Sequence, residues 1–187
     1  KVFENTQVAC IYNCADSVTE KLVAAADVHE GCRAVGFTLG TPAVSMLGVV
    51  DEVLCDRAFV SERATSAAEI ATLDDVRTAV GGTLAPHHIA DALAAAALVR
   101  AHGVPAVAVR DGLRGFSPDP HRIAVIANAA GVRWVDDSKA TNSHAADASL
   151  SAFENIVWVA GGLAKGATFD DLISHHADRL RAVVLIG

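Results

Sequence analysis

The chain has 187 residues, 52% of them hydrophobic but only 5% aromatic, so Ala, Val, Leu and Ile must build its core, as in helix-on-sheet packing. Its net charge of −7 comes without clustered Lys and Arg, which excludes nucleic acid as the main partner. No apolar run reaches the ~18 residues of a membrane span. The four cysteines lack CxxC and zinc-type spacing, which predicts reduced thiols, no metal ligands and a cytoplasmic location.

The first half of the chain is predicted to contain a β-α-β unit followed by helices. The pattern predicts a strand over 8–13, a helix over 18–27, a strand over 32–40, irregular connections with short extended pieces over 41–66 and a helix over 87–103. Asp16 or Ser17 is expected to cap the first helix, and Pro105 to open a further helix that forms a hairpin with the one before it.

The segment SPDP, residues 117–120, predicts a domain boundary because two prolines and an acid separate a helix from a strand. A β-hairpin follows, with its turn at Asn128 to Gly131. The elements then alternate: strand 132–136, helix 143–153, strand 156–160, helix 169–180 and strand 182–186. Such alternation predicts an α/β fold with mostly parallel strands joined by helical crossovers. The missing initial Met and the terminal apolar strand RAVVLIG predict a fragment of a longer protein.

Two polar loops follow neighbouring predicted strands, at the sheet edge where ligands of α/β folds bind. The loop GGLAKGAT, residues 161–168, has the spacing of a phosphate-binding loop, but Ala167 stands where that motif needs lysine. A degenerate phosphate loop and a plain β-α turn with a solvated Lys165 both remain open.

The loop DDSKATN, residues 136–142, offers more chemistry. Asp137 could accept two hydrogen bonds from a ribose diol, and Lys139 could supply a charge for a phosphate or carboxylate. Thr141 lies at the start of a helix whose free N–H groups favour anions. Alternatively, Asn142 or Ser143 merely caps that helix and the acids are solvated. Since Lys139 and Lys165 are expected at one rim, we predict an anion site there.

Arg122 comes just after the predicted boundary, from where it could reach across a cleft and bind a phosphate in bidentate fashion. A simple surface role is the alternative. Ser138 and His144 are close in sequence, but without a supporting context they do not predict a catalytic triad.

Several strings together resemble the Mur ligase family of peptidoglycan synthesis: VDDSKATNSHAA, AGGLAKG, PHRI, HHIADALAAAAL and IYNCADS. The string DSKATN is specific to the D-glutamate-adding members. The resemblance implies three domains in the whole enzyme. This chain would hold the latter part of the central ATPase domain (1–118, without its phosphate loop) and the first part of the C-terminal domain (119–187). Both would be parts of Rossmann-like three-layer α/β domains.

The resemblance also implies site residues. Arg122 and Lys139 would be catalytic, with Arg122 on the γ-phosphate and Lys139 beside the phosphates, while Asp137 would bind the ribose of ATP. Thr141 and Lys165 would grip the side-chain carboxylate of D-glutamate. Two family asparagines approach adenine, and this sequence has His88 and Asp91 at those positions. An ionised aspartate can only accept hydrogen bonds, so adenine contact by this pair is the weakest expectation.

The function implied by the resemblance is ATP-dependent addition of D-glutamate to UDP-N-acetylmuramoyl-L-alanine through an acyl phosphate. ATP, D-glutamate and that nucleotide would be its small-molecule partners, Mg²⁺ would be held by residues upstream of this chain, and the whole enzyme would be a monomer. The fragment alone is expected to be inactive. A non-catalytic nucleotide- or carboxylate-binding module and another Mur-type amino-acid ligase are the alternatives.

Overall fold

The computed structural model describes residues 2–164 and 166–186, which fold as two compact α/β units. The first unit runs to Gly82 and continues over His87–Ser117, and the second comprises Thr83–Pro86 and the chain from Pro118 onward. The α/β fold class is therefore confirmed. Within the described residues, no helix combines the length and apolar character needed to cross a membrane.

The first unit is built on a five-stranded sheet in the order β1-β2-β3-β4-β5, in which β1 to β3 are parallel and β4 and β5 are antiparallel additions. Its elements are β1 (Ala9–Asn13), α1 (Ser17–Ala24), β2 (Arg33–Phe37), β3 (Met46–Val50), β4 (Val53–Asp56), β5 (Ala68–Thr72), α2 (Leu73–Ala79), α3 (Pro86–Ala101) and α4 (Ala106–Arg114). Asp16 caps α1, as predicted, by accepting the Val18 N–H at 2.8 Å.

The structure makes one expectation for the first unit more specific and corrects another. The short extended pieces expected within residues 41–66 are the two strands of the β3–β4 hairpin. The predicted helix over 18–27 ends at Ala24, where the Ala25 N–H closes the last turn onto the Lys21 carbonyl.

The core of this unit consists of aliphatic side chains from the sheet and from α3. The side chains of Val35, Leu47, Leu54 and Ile70 from the sheet and Leu93 from α3 are completely buried. The alanines of α3 complete one buried helical face, which is what an Ala-rich, aromatic-poor sequence can supply.

The second unit contains two separate strand pairs. Its elements are β6 (Ala124–Ala129), β7 (Val132–Asp136), α5 (Ser143–Leu150), β8 (Ile156–Gly161), α6 (Asp170–His175) and β9 (Leu180–Ile186). The hairpin of β6 and β7 turns at Ala130 and Gly131, as predicted, and β8 and β9 are parallel around α6, also as predicted.

One expectation for the second unit is wrong: β7 is not a sheet neighbour of β8 within the described residues, where it pairs only with β6. Alternation of strands and helices indicates strand direction, but it does not say which strands are adjacent. The predicted helix over 169–180 is also shorter, since the N–H groups of Arg179 and Leu180 both bond to the His176 carbonyl in a turn.

Candidate functional site

The loop of residues 136–142 is joined to the segment His121–Ile123 by three hydrogen bonds. His121 Nδ1 lies 2.6 Å from Asp136 Oδ2, and the Lys139 N–H donates to the His121 carbonyl at 3.1 Å. The Ile123 N–H donates to Asp137 Oδ1 at 3.1 Å. The chain before β6 and the chain after β7 therefore form one polar platform, which we call the 121–142 platform.

The backbone of the platform is bent to allow these contacts. His121 and Ile123 have φ angles of 68° and 49°, in the left-handed region that non-glycine residues rarely adopt. Such strain persists only where neighbouring interactions over-determine the conformation, and it is concentrated at functional sites. Here it holds Arg122 between two residues that are both bonded to the loop.

Two cationic side chains of the platform are exposed to solvent. The Arg122 side chain is 58% exposed, and its closest carboxylate, on Asp119, is 3.9 Å away. Lys139 is exposed, and its ammonium forms no ion pair in the part of the chain that the structure describes. The Lys139 backbone lies against His121, so both cations are carried by the same local structure.

The two aspartates of the platform have different environments. The hydrogen bond from His121 is the largest of the effects that hold the pKa of Asp136 at about 2, and the Ser138 N–H adds to it. Asp137 is half-buried and has one oxygen on the Ile123 N–H. Its other oxygen makes no hydrogen bond among the described residues, so it can still accept one from a ligand.

The start of α5 completes the platform. Asn142 Oδ1 accepts the Ala145 N–H at 2.9 Å, so the predicted cap at Asn142 is confirmed. Thr141 precedes this cap, its N–H bonds to the Lys139 carbonyl at 2.9 Å, and its side chain is exposed. The hydroxyl of Thr141 is consequently available to a ligand.

The second predicted loop lies after β8. Gly161 is required there, because a Cβ at this position would overlap the Ile186 carbonyl of β9, and Gly162 and Gly166 have φ angles of 101° and 81°. Lys165 lies outside the described residues. Its predicted convergence with Lys139 on one rim stays a prediction, and the two loops follow strands of different sheets in the described chain.

The remaining sequence-predicted residues lie on α3. Its first residue, Pro86, belongs to the second unit, and its other residues belong to the first unit. His88 is half-buried with its ring centroid 4.1 Å from that of His87, and Asp91 is exposed. Their spacing of three residues places them on one helical face. Adenine contact by these residues stays a prediction.

Sequence reasoning missed a second polar cluster in the second unit. Asp147 Oδ1 lies 2.8 Å from His175 Nδ1 and 2.9 Å from His176 Nε2. The adjacent histidines were a visible signal, but nothing in their spacing pointed to a carboxylate almost thirty residues earlier. The role of His121 was missed as well, since a backbone conformation with positive φ cannot be read from the string PHRI.

Comparison with known proteins finds curated relatives that match the whole chain. The chain is 63% identical to the UDP-N-acetylmuramoylalanine--D-glutamate ligase of Streptomyces avermitilis over all 187 of its residues, which cover 39% of that relative. It is 55% identical to the ligase of the same name from Leifsonia xyli, again along the whole chain and over 36% of the relative. Along its whole length the chain is thus similar to part of these ligases.

Other comparisons define the extent of this similarity. No family model matches the sequence. A crystal structure of MurF from Acinetobacter baumannii aligns with 94% of the chain and 42% of its own length, at a TM-score of 0.57 and 15% identity, which supports the fold alone. The chain spans about two fifths of the length of the curated relatives it matches.

Proposed function

We propose that the protein containing this chain is an ATP-dependent ligase that joins D-glutamate to UDP-N-acetylmuramoyl-L-alanine in peptidoglycan synthesis. The identity of 63% over the whole chain to a relative of that name is the main support, because it extends through the 121–142 platform. The same proposal assigns residues 1–118 to the latter part of the ATPase domain and 119–187 to the first part of the C-terminal domain. It includes action in the cytoplasm, as a monomer, on small-molecule substrates.

The platform suits the ATP side of the reaction. Arg122 would contact the γ-phosphate and Lys139 would lie beside the phosphates, since both cations are exposed and carried by bonded backbone segments. Asp137 would accept a ribose hydroxyl with the oxygen that the Ile123 N–H does not use. His88 and Asp91 would lie near adenine. Phosphoryl transfer depends on positioning and charge neutralisation, which explains a site of cations rather than of a nucleophile and base.

The acceptor side of the reaction needs a second anion site. ATP would phosphorylate the carboxylate of UDP-N-acetylmuramoyl-L-alanine, and the amine of D-glutamate would attack the acyl phosphate. Phosphate would then leave from the tetrahedral intermediate. We assign Thr141 and Lys165 to the side-chain carboxylate of D-glutamate, because a hydroxyl and an ammonium both donate to such a group.

Mg²⁺ is the metal that such a ligase requires, and this chain does not supply a fitting site in its described part. The only described group of His, Cys or acidic side chains close enough to share an ion is Asp147, His175 and His176. Mg²⁺ prefers oxygen ligands, so a set with two imidazoles does not suit it. We expect the Mg²⁺ ligands in the preceding part of the enzyme, and no step above uses the ion.

The test uses steady-state kinetics of the full-length enzyme. Lys165→Ala and Thr141→Ala should each raise the KM for D-glutamate by about 10–100-fold, the effect of losing a hydrogen bond to a charged group. The KM for ATP should change little. Lys21→Ala, which removes an exposed lysine of α1, is the matched control.

An unchanged KM for D-glutamate in both variants would overturn the assignment of Thr141 and Lys165. Two further outcomes would replace the proposed function itself. Turnover with a different amino acid in preference to D-glutamate would favour another Mur-type ligase, and binding of ADP and D-glutamate without turnover by the full-length protein would favour a binding module.

A further inference from the structure

One carboxylate and two imidazoles meet between α5 and α6 in the second unit. Asp147 lies on α5, His175 is the last residue of α6, and His176 follows it. One donor atom from each residue can be chosen so that all three lie within 4.8 Å of one another. None of these residues has a role in the proposed ligation.

A small hydrophobic core between α5 and α6 holds the backbone that carries the cluster. Ala146 and Leu150 on α5 and Leu172 on α6 are buried together, with Ile156, Trp158 and Leu180 packed against them. Asp147 directly follows Ala146, and the His176 N–H closes a turn onto the Leu172 carbonyl. The helical turns that carry Asp147 and His176 are therefore held in place by packing, which a pre-organised binding site requires.

The two imidazoles differ in accessibility. The His176 side chain is only 2% exposed, whereas that of His175 is 67% exposed and that of Asp147 is 41% exposed. One face of the cluster is thus closed by the protein and the other opens to solvent. An ion could enter from the open face and keep a coordination position for water.

The donor atoms of the cluster converge. Asp147 supplies an acidic side chain that is partly open to solvent. His175 Nδ1 and His176 Nε2 both point at its Oδ1 atom, at 2.8 and 2.9 Å.

We propose that Asp147, His175 and His176 bind a divalent transition-metal ion, with Zn²⁺ as the best match. Imidazole nitrogen and carboxylate oxygen are both ordinary Zn²⁺ ligands, and three protein ligands with an open fourth position form a recurrent zinc arrangement. Ca²⁺ and Mg²⁺ are disfavoured because they take oxygen ligands.

Binding of the ion requires a rearrangement of the side chains. Tetrahedral Zn²⁺ with bonds of 2.0–2.2 Å separates its ligand atoms by about 3.4 Å. The nitrogen–oxygen distances of 2.8 and 2.9 Å must therefore open by roughly half an ångström when the ion replaces the shared hydrogen bonds. The two ring nitrogens, which lie within 4.8 Å of each other, must also come to about 3.4 Å apart. The exposed ring of His175 can turn and the partly exposed Asp147 side chain can shift, while the buried His176 ring stays in place.

The environment of His176 sets a limit on the affinity. Nδ1 of this ring is buried and has no hydrogen-bond partner among the described residues. When Nε2 binds the ion, the ring proton must lie on Nδ1, and a histidine ligand usually donates that proton to an acceptor. Absence of such a partner costs about 10–100-fold in affinity. We therefore expect a reversible site rather than a permanently loaded one.

The test titrates ZnCl₂ into the metal-stripped full-length enzyme, with a chromophoric chelator as competitor and the thermal midpoint as a second readout. Wild-type protein should bind one Zn²⁺ equivalent that His175→Ala and Asp147→Asn weaken at least tenfold. His102→Ala, which removes an exposed histidine of the first unit, should retain it. Zn²⁺ should raise the midpoint of wild type and His102→Ala more than that of His175→Ala.

Equal Zn²⁺ stoichiometry and affinity in wild type, His175→Ala and Asp147→Asn would overturn the proposal, as would complete displacement by equimolar Mg²⁺. Because His175 is exposed, loss of folding does not confound the comparison, and circular dichroism of each variant checks this. Failure of the proposal would leave the ligase assignment untouched, since D-glutamate kinetics do not depend on it.

Discussion

At the scale of single residues, Asp56 and Arg100 form an ion pair in which both carboxylate oxygens of the buried Asp56 accept hydrogen bonds. The Asp56 side chain is 0% exposed, and one of its oxygens accepts the Arg100 Nε–H at 2.8 Å. Its other oxygen accepts the N–H groups of Ala58 and Phe59. Arg100 also donates to two backbone carbonyls, so the pair ties β4, α3 and the chain after β4 together.

Removal of Asp56 should be strongly destabilising. Asp56→Ala leaves the Arg100 charge buried without its partner, and we expect the free energy of unfolding to fall by about 3–5 kcal/mol. Urea denaturation of the full-length protein measures this. Asp74→Ala is the matched control, since its pair with Arg77 is exposed and should contribute less than about 1 kcal/mol. Similar losses in both variants would contradict the interpretation.

The contact of His121 with Asp136 gives the second unit a pH dependence. The pKa of Asp136 is about 2 in the folded protein, below its ordinary 3.8, so its contribution to stability is fully present above about pH 4. That contribution is lost as the pH falls toward 2 and the carboxylate is protonated. Asp136→Asn should therefore flatten the fall of the thermal midpoint between pH 4 and 2.

Asp178→Asn serves as the control for this pH profile. Asp178 is an exposed carboxylate without a side-chain hydrogen bond among the described residues. Its substitution should leave the acid limb of the profile unchanged. A wild-type profile in Asp136→Asn would show that the His121 contact does not persist in solution.

At the scale of elements, the sequence predicts those parts whose local chemistry is unambiguous. The Ala-rich composition of α3 and the acidic cap of α1 identify two helices. The predicted first residue of each helix lies within one residue of the observed one. The hairpin of β6 and β7 was visible because its turn contains Gly131, which suits a positive φ angle.

The hairpin of β3 and β4 shows why similar geometry can be missed. Its two-residue turn is Asp51 and Glu52, with φ angles of 46° and 67°. Hairpin turns of this kind normally carry Asn-Gly or Asp-Gly, so the sequence lacks the usual signal. Tertiary pairing of short strands overrides a poor turn sequence here. The same limit applies to the platform, whose contacts depend on left-handed residues that local propensity does not favour.

Close packing of β3 yields a prediction at this scale. A Cβ on Gly48 would overlap the Gly40 carbonyl and lie 2.9 Å from Pro42 Cδ, and the backbone there cannot easily move. Gly48→Ala should destabilise the protein by about 1–3 kcal/mol, measured by urea denaturation. Gly112→Ala in α4, with open space around the new methyl group, should be neutral or stabilising by up to about 1 kcal/mol. The reverse order of the two variants would refute this packing argument.

At the scale of the whole molecule, the residues proposed to bind anions do not make up a complete triphosphate site. The similarity to D-glutamate ligases could be predicted from the string DSKATN, because such a string is read directly from the sequence. The relation of that loop to Lys165 was not readable, since alternating strands and helices do not specify sheet neighbours. The absence of GxxxxGK[ST] from the printed sequence is equally plain.

The 187-residue chain on its own should therefore fail to catalyse ligation. Without a lysine and N–H cradle for the β- and γ-phosphates, Arg122 and Lys139 cannot by themselves neutralise the charge that develops in phosphoryl transfer. We expect no phosphate release when the chain is mixed with ATP, D-glutamate and UDP-N-acetylmuramoyl-L-alanine, whereas the proposed function requires that the full-length protein release it. Circular dichroism must first show that the isolated chain retains its helices. Phosphate release by the chain, abolished by Lys139→Ala, would mean that the platform itself activates ATP.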